Sequence, residues 1–153
     1  MTRRVLLTGA FAVLALAGCS DDIATVDKGR VAECLGDRGA RTRDFLATSA
    51  QAPPQYTALT RENGARGALA VLGRADQVRQ AWAYVFFFSG AERADTVYNR
   101  VTGGRDKVKV GRRTVPSTRR QNVIVLYGRS RAYGRAAGPA DREALERCFD
   151  DAS

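Results

Sequence analysis

From Ala81 to Phe88 the chain reads Ala-Trp-Ala-Tyr-Val-Phe-Phe-Phe, apolar at every position. In a strand, successive side chains point to opposite faces, so a run with no polar alternate needs cover on both sides. Eight residues fall far short of the roughly 20 that cross a bilayer as a helix. Aromatic and β-branched side chains of this length suit a strand instead. Gln80 to Ser89 is therefore expected as a central strand, covered at least in part by helices or a folded-over loop.

The neighbouring segments arrange themselves around it. Ala68 to Leu72 reads as a second strand, joined to it across Gly73-Arg74-Ala75-Asp76. Ile23 to Arg38 suits a helix, because Val31, Cys34 and Leu35 fall at i, i+3 and i+4, with Gly36 and Gly39 as stops. Arg41 to Thr48 suits a strand. Ser49 to Gly67, with Pro53-Pro54 and Asn63-Gly64, reads mostly as loop. Ser89-Gly90-Ala91-Glu92 matches a capping box, and Ala94, Val97, Tyr98 and Val101 form the stripe of a helix ending at Gly103-Gly104. Lys107 to Val115 alternates weakly, and Asn122 to Tyr127 is a second buried strand. Pro139 fits the first position of a last helix, with Asp141 and Glu143 near its positive end and Ala144, Leu145, Cys148 and Phe149 as its stripe. The order predicts an α+β fold, a two-layer sandwich of a mostly antiparallel sheet with about three helices. With 153 residues, 44% apolar and 27% charged, there is room for one small domain.

The first nineteen residues have a different character. Arg3 and Arg4 precede an apolar run from Val5 to Ala17, and Leu16-Ala17-Gly18-Cys19 follows. This is the layout of a secretory signal. The last four residues resemble the lipobox of bacterial prolipoproteins, in which the cysteine thiol receives a diacylglyceryl group and the signal is cut just before it. The resemblance covers the leader only. It implies a signal peptide over 1–18, lipidation at Cys19 with a short tether over 19–25, and a single domain over 26–153. It also implies a palmitate-type anchor on the extracytoplasmic face of a bacterial membrane in the cell envelope, with that membrane as a partner. Thr2 to Leu7 further resembles the twin-arginine export motif, which would mean export after folding. Six extended residues, Ser20 to Thr25, reach about 20 Å at most and would hold the domain near the membrane surface.

With Cys19 committed to lipid, Cys34 and Cys148 remain in an oxidising compartment, and one structural disulfide needs two thiols. Each lies on the apolar face of an expected helix, so two helices on one sheet could bring them within the required 7 Å or so. A redox pair lacks the Cys-x-x-Cys spacing of a tuned thiolate. The mature part weakly resembles small exported bacterial domains of unknown function that carry a Cys-Leu helix and a matching C-terminal cysteine, here Cys34-Leu35 and Cys148-Phe149. That likeness implies no activity.

Charge is uneven. Arg105 to Arg135 holds ten basic residues against Asp106 alone, a net +9, while the mature chain as a whole is +7. Within it Arg112, Arg113, Arg119, Arg120, Arg129 and Arg131 are the candidate anion-binding residues, for anionic lipid, an envelope polymer or an acidic protein partner. The alternative is a solvated arginine-rich face, since 22 arginines to three lysines pervade the chain. Tyr127 and Tyr133 among the arginines imitate nucleic-acid binders, but export argues against nucleic acid. The absence of histidine excludes imidazole bases and ligands. No phosphate loop, dinucleotide fingerprint or nucleophile elbow occurs, and no cofactor or metal is implied. Asp21-Asp22 and Asp150-Asp151 read as solvated, and Glu62, Asp76, Glu92 and Asp95 cannot be paired across a cleft from sequence. The expected function is a non-catalytic ligand- or partner-binding domain held at the membrane. The alternative is an envelope hydrolase using carboxylates.

Overall fold

The computed structural model describes residues 25–45, 64–72, 81–110, 112–128 and 138–153. The leader, the lipobox with Cys19, the tether up to residue 24 and most of the expected loop lie outside them. Nine elements follow in order: α1 (Lys28–Asp37), β1 (Arg41–Asp44), β2 (Gly67–Leu72), β3 (Ala81–Phe87), α2 (Ala91–Thr102), β4 (Lys107–Val110), β5 (Arg113–Arg120), β6 (Val123–Tyr127) and α3 (Pro139–Asp151). The strands form one six-stranded sheet in the order β1-β2-β3-β6-β5-β4, antiparallel throughout. The protein is an α+β sandwich, with three helices among the described residues.

β3 occupies the centre for the reason its composition dictates. Val85 and Phe87 join Val71, Val125, Leu145 and Phe149 on the face covered by α1 and α3. Tyr84 and Phe86 join Ala70, Leu126, Ala94 and Val97 on the face covered by α2. All seven β3 side chains are buried. Burying each large apolar one contributes about 1.5–3 kcal/mol. Phe45, just past β1, meets Tyr84 and Phe86 edge to face at 5.7 and 5.6 Å, which adds about 0.5–1.5 kcal/mol per pair beyond area. The two helices expected to carry the cysteines share one face, and the middle helix closes the other.

Local chemistry sets the element ends. α1 starts later than its periodicity suggests because the Asp27 carboxylate caps it, accepting the Arg30 N–H at 2.9 Å, while Val26 is held by Asn122. The capping box expected at Ser89 is not formed. Phe88 is still tied to the sheet, its N–H donating to the Asn122 carbonyl at 2.8 Å, so the chain turns one residue later, at Gly90, with no side-chain cap. Gly103 ends α2 as expected, at φ +61°, a left-handed position that glycine adopts without cost. Pro139 opens α3, and Asp141 accepts the Gly138 N–H at 2.9 Å.

The weakly alternating segment from Lys107 to Val115 runs across two strands of a hairpin. Val108 and Val115 are seven residues apart, so in one continuous strand they would point to opposite faces. The turn between Val110 and Arg113 makes them direct partners, both buried on the α2 side of the sheet. β5 and β6 then join through Gln121-Asn122, with Gln121 at φ +47°.

Candidate functional site

The chain enters the described domain at Thr25 and Val26, where Asn122 clasps it. The Asn122 side-chain oxygen accepts the Val26 N–H at 2.7 Å, and its amide donates to the carbonyls of Val26 at 3.2 Å and Phe88 at 3.1 Å. Asp27 N–H donates to the Ala152 carbonyl at 3.0 Å, and the Ser153 hydroxyl donates to Gln121 Oε1 at 3.0 Å. Both ends of the domain thus meet at the β5–β6 turn. This clasp was not foreseen; an asparagine directly before a buried strand was its only trace in the sequence.

Cys34 on α1 and Cys148 on α3 stand at disulfide distance, with Sγ atoms 2.01 Å and Cα atoms 5.6 Å apart. Cys148 is fully buried among Val31, Leu35, Leu145 and Phe149, and Cys34 is partly exposed. A shallow depression of about 490 Å³ borders Cys34, lined by Arg30, Glu33, Asp37, Arg38 and Asp151. One ion pair lies within it. Arg38 donates from Nε to Cys34 Sγ at 3.4 Å and pairs with Asp151 at 3.5 Å. A disulfide sulfur has no hydrogen to donate, so the 3.8 Å approach of Asp151 to Cys34 Sγ is a contact only.

The six candidate anion-binding arginines do not form one surface. Arg119 and Arg120 are neighbours in β5, so they point to opposite faces. Arg119 Nε pairs with Asp95 of α2 at 3.0 Å. Arg120 pairs with Glu146 at 3.1 Å and with Asp150, both on α3. Each reaches a helix on its own face of the sheet through partly exposed ion pairs. Arg129 and Arg131 lie outside the described residues. Arg113 begins β5 opposite Val110. Arg112, in the turn, is exposed.

Among the side chains described in the basic segment, the exposed cations without a carboxylate partner are instead Arg105, Lys107, Lys109 and Arg112, along β4 and its turn. None of the four makes an ion pair among the described residues, and Asp106 is the one acid within the stretch. The sequence reading counted the first three as part of the basic segment without selecting them; the alternation of Lys107 and Lys109 about Val108 was the available signal.

The carboxylates are placed as follows. Asp95, Asp150 and Asp151 are ion-paired, Glu92 is exposed, and Asp21, Asp22, Glu62 and Asp76 lie outside the described residues. Among the described residues no helix is long and apolar enough to cross a membrane, and no three His, Cys, Asp or Glu side chains gather as a metal site. Tyr127, at the far end of β6, lies under the Arg142 guanidinium at 4.6 Å, and burial pushes its phenol above its ordinary pKa despite the Thr118 hydroxyl, which lowers it. Comparison with family models, curated proteins and solved structures finds no match to this chain.

Proposed function

We propose that the chain is a lipid-anchored protein of the bacterial cell envelope, attached through Cys19, whose α+β domain is a non-catalytic binding module for an anionic partner. The supporting observation is the cation row Arg105, Lys107, Lys109 and Arg112. Among the described residues it is exposed and without an ion pair, whereas Lys28, Arg38, Arg119, Arg120 and Arg147 each have a carboxylate partner. Clustered exposed cations repel one another and contribute little to stability, but they raise the local concentration of anions.

Two measurements test the two halves of the proposal. Fractionation of bacterial cells should find the wild type in the membrane, carrying acyl chains on Cys19 by mass spectrometry, and Cys19→Ala in the soluble fraction. An unmodified Cys19 in wild-type protein overturns the anchor. Retention of the purified protein on immobilised polyglutamate should fall with salt and vanish when Arg105, Lys107, Lys109 and Arg112 are all changed to Glu. Unchanged retention, or none in the wild type at low salt, overturns the binding surface.

A further inference from the structure

β4 is an edge strand, and its pairing decides which backbone groups are free. Ser117 donates its N–H to the Asp106 carbonyl at 3.0 Å, so the odd-numbered residues of β5 aim their backbone groups at β4. In an antiparallel ladder, residues alternate between facing the partner and facing away. With Val108 opposite Val115 and Val110 opposite Arg113, it is Val108 and Val110 that bond to β5. The N–H and C=O groups of Lys107 and Lys109 therefore point out of the sheet. These two residues also share a side-chain face, opposite the buried Val108, and both are exposed. Their cross-strand neighbours there are Pro116 and Thr114, and the α1 and α3 cover of that face centres on β2, β3 and β6.

We propose that β4 accepts an extended acidic peptide segment of another protein as a seventh strand. This inference rests on the anionic-partner reading above and gives it a geometry. The free groups of Lys107 and Lys109 supply two N–H donors and two carbonyl acceptors. Residues opposite them in an added antiparallel strand would stand about 5.5 Å away, Cα to Cα, with side chains on the lysine face. Acidic residues at i and i+2 complement both ammonium groups. Arg105 and Arg112 flank the strand at its two ends. Lysines on a short edge strand deter indiscriminate pairing, and that property makes the edge selective. A basic or apolar strand would leave the ammonium groups desolvated or repelled. A second copy of this chain fits poorly, since β4 would oppose its own lysines and the other edge, β1, offers Arg41 and Arg43.

The test uses the full chain in detergent and three capped peptides measured by calorimetry. The first carries two Glu residues at i and i+2 among Thr and Val. The second has the same composition with the Glu residues adjacent. The third repeats the first with both Glu backbone nitrogens methylated. The first should bind, the second about tenfold more weakly because only one Glu can face a lysine, and the third not at all. Lys109→Pro removes an outward N–H that no strand of the sheet uses, so the melting temperature should hold while peptide binding is lost; Lys109→Thr separates loss of charge from loss of the donor. Lys107→Glu with Lys109→Glu should transfer the preference to a peptide with Lys at i and i+2. Equal binding of the three peptides, alongside salt-sensitive retention on polyglutamate, overturns strand addition and leaves the anionic surface standing. No binding to peptide or polyglutamate overturns both.

Discussion

Breaking the link between α1 and α3 tests the architecture most directly. Cys34 and Cys148 are 114 positions apart in sequence. A bridge over a loop of that size removes enough freedom from the unfolded chain to stabilise by up to about 4.7 kcal/mol in the chain-entropy treatment. Small domains are stable by about 5–15 kcal/mol in total, so at that upper figure the bridge would carry about a third or more of the whole. The two cysteines are nevertheless unequal. Serine at position 34 places its hydroxyl at a partly exposed site beside Arg38 and Asp151, where it finds partners. Serine at 148 buries a hydroxyl among Val31, Leu35 and Phe149, at an additional cost of about 1–3 kcal/mol. The order of stability should therefore be wild type, then Cys34→Ser, then Cys148→Ser, and the double variant should match Cys148→Ser because the bond is already gone.

Urea unfolding with thiol titration measures this. The first step should lower the midpoint by roughly 2 M at an ordinary denaturant slope. Unfolded but unreduced wild-type protein should show no reactive thiol from this pair. Two reactive thiols would refute the bridge. Equal midpoints for the two single variants would refute the burial argument while leaving the bridge intact.

Two further outcomes follow from single side chains. Asn122→Ala leaves the Val26 N–H and the Val26 carbonyl without their buried partner, and should cost roughly 2–4 kcal/mol in urea unfolding, with amide exchange rising at Val26 and Asp27; a loss within experimental error would show that the clasp is not holding the chain. Tyr127 has a folded pKa raised by burial, so the unfolded chain ionises first. Its contribution to stability is complete below tyrosine's unfolded pKa of about 10 and is lost as pH rises through the higher folded value. Unfolding free energy should therefore decline above about pH 10, and less steeply in Tyr127→Phe; identical alkaline profiles would contradict it.

The fold was legible wherever composition forced a single solution. The unbroken apolar run in β3 could only be a doubly covered strand, and the stripes of α2 and α3 left one face each to bury. Where two local solutions compete, the sequence is silent on which neighbour decides. Ser89 and Glu92 are a correct capping pair, but the hydrogen bond from Phe88 to Asn122, 34 residues apart, ties the chain to the sheet up to the residue before Ser89, and the helix is capped at Gly90 instead. The hairpin at 107–120 was readable in principle, because one strand cannot bury both Val108 and Val115 on the same face. A lone valine pair is too weak a pattern to require it.

The site shows the same limit more sharply, because a charge count has no direction. Arg119 and Arg120 look like the heart of a basic patch in the sequence, yet adjacency in a strand sends them to opposite faces, where Asp95 on one side and Glu146 with Asp150 on the other take them up. Pairing them there links the sheet to α2 and α3 and leaves neither as a free cation. What is left over falls on β4, because among the described residues no helix acid lies within ion-pair distance of Lys107 or Lys109 and no further strand lies beyond it. On this side of the sheet the position of the free charge follows strand order: the cations of β5 reach the acids of the covering helices, and among the described residues those of β4 reach none. The residues whose cations remain unpaired on β4 are also those whose backbone groups remain unpaired, and it is this coincidence, invisible to composition, that gives the anionic surface a direction and a register.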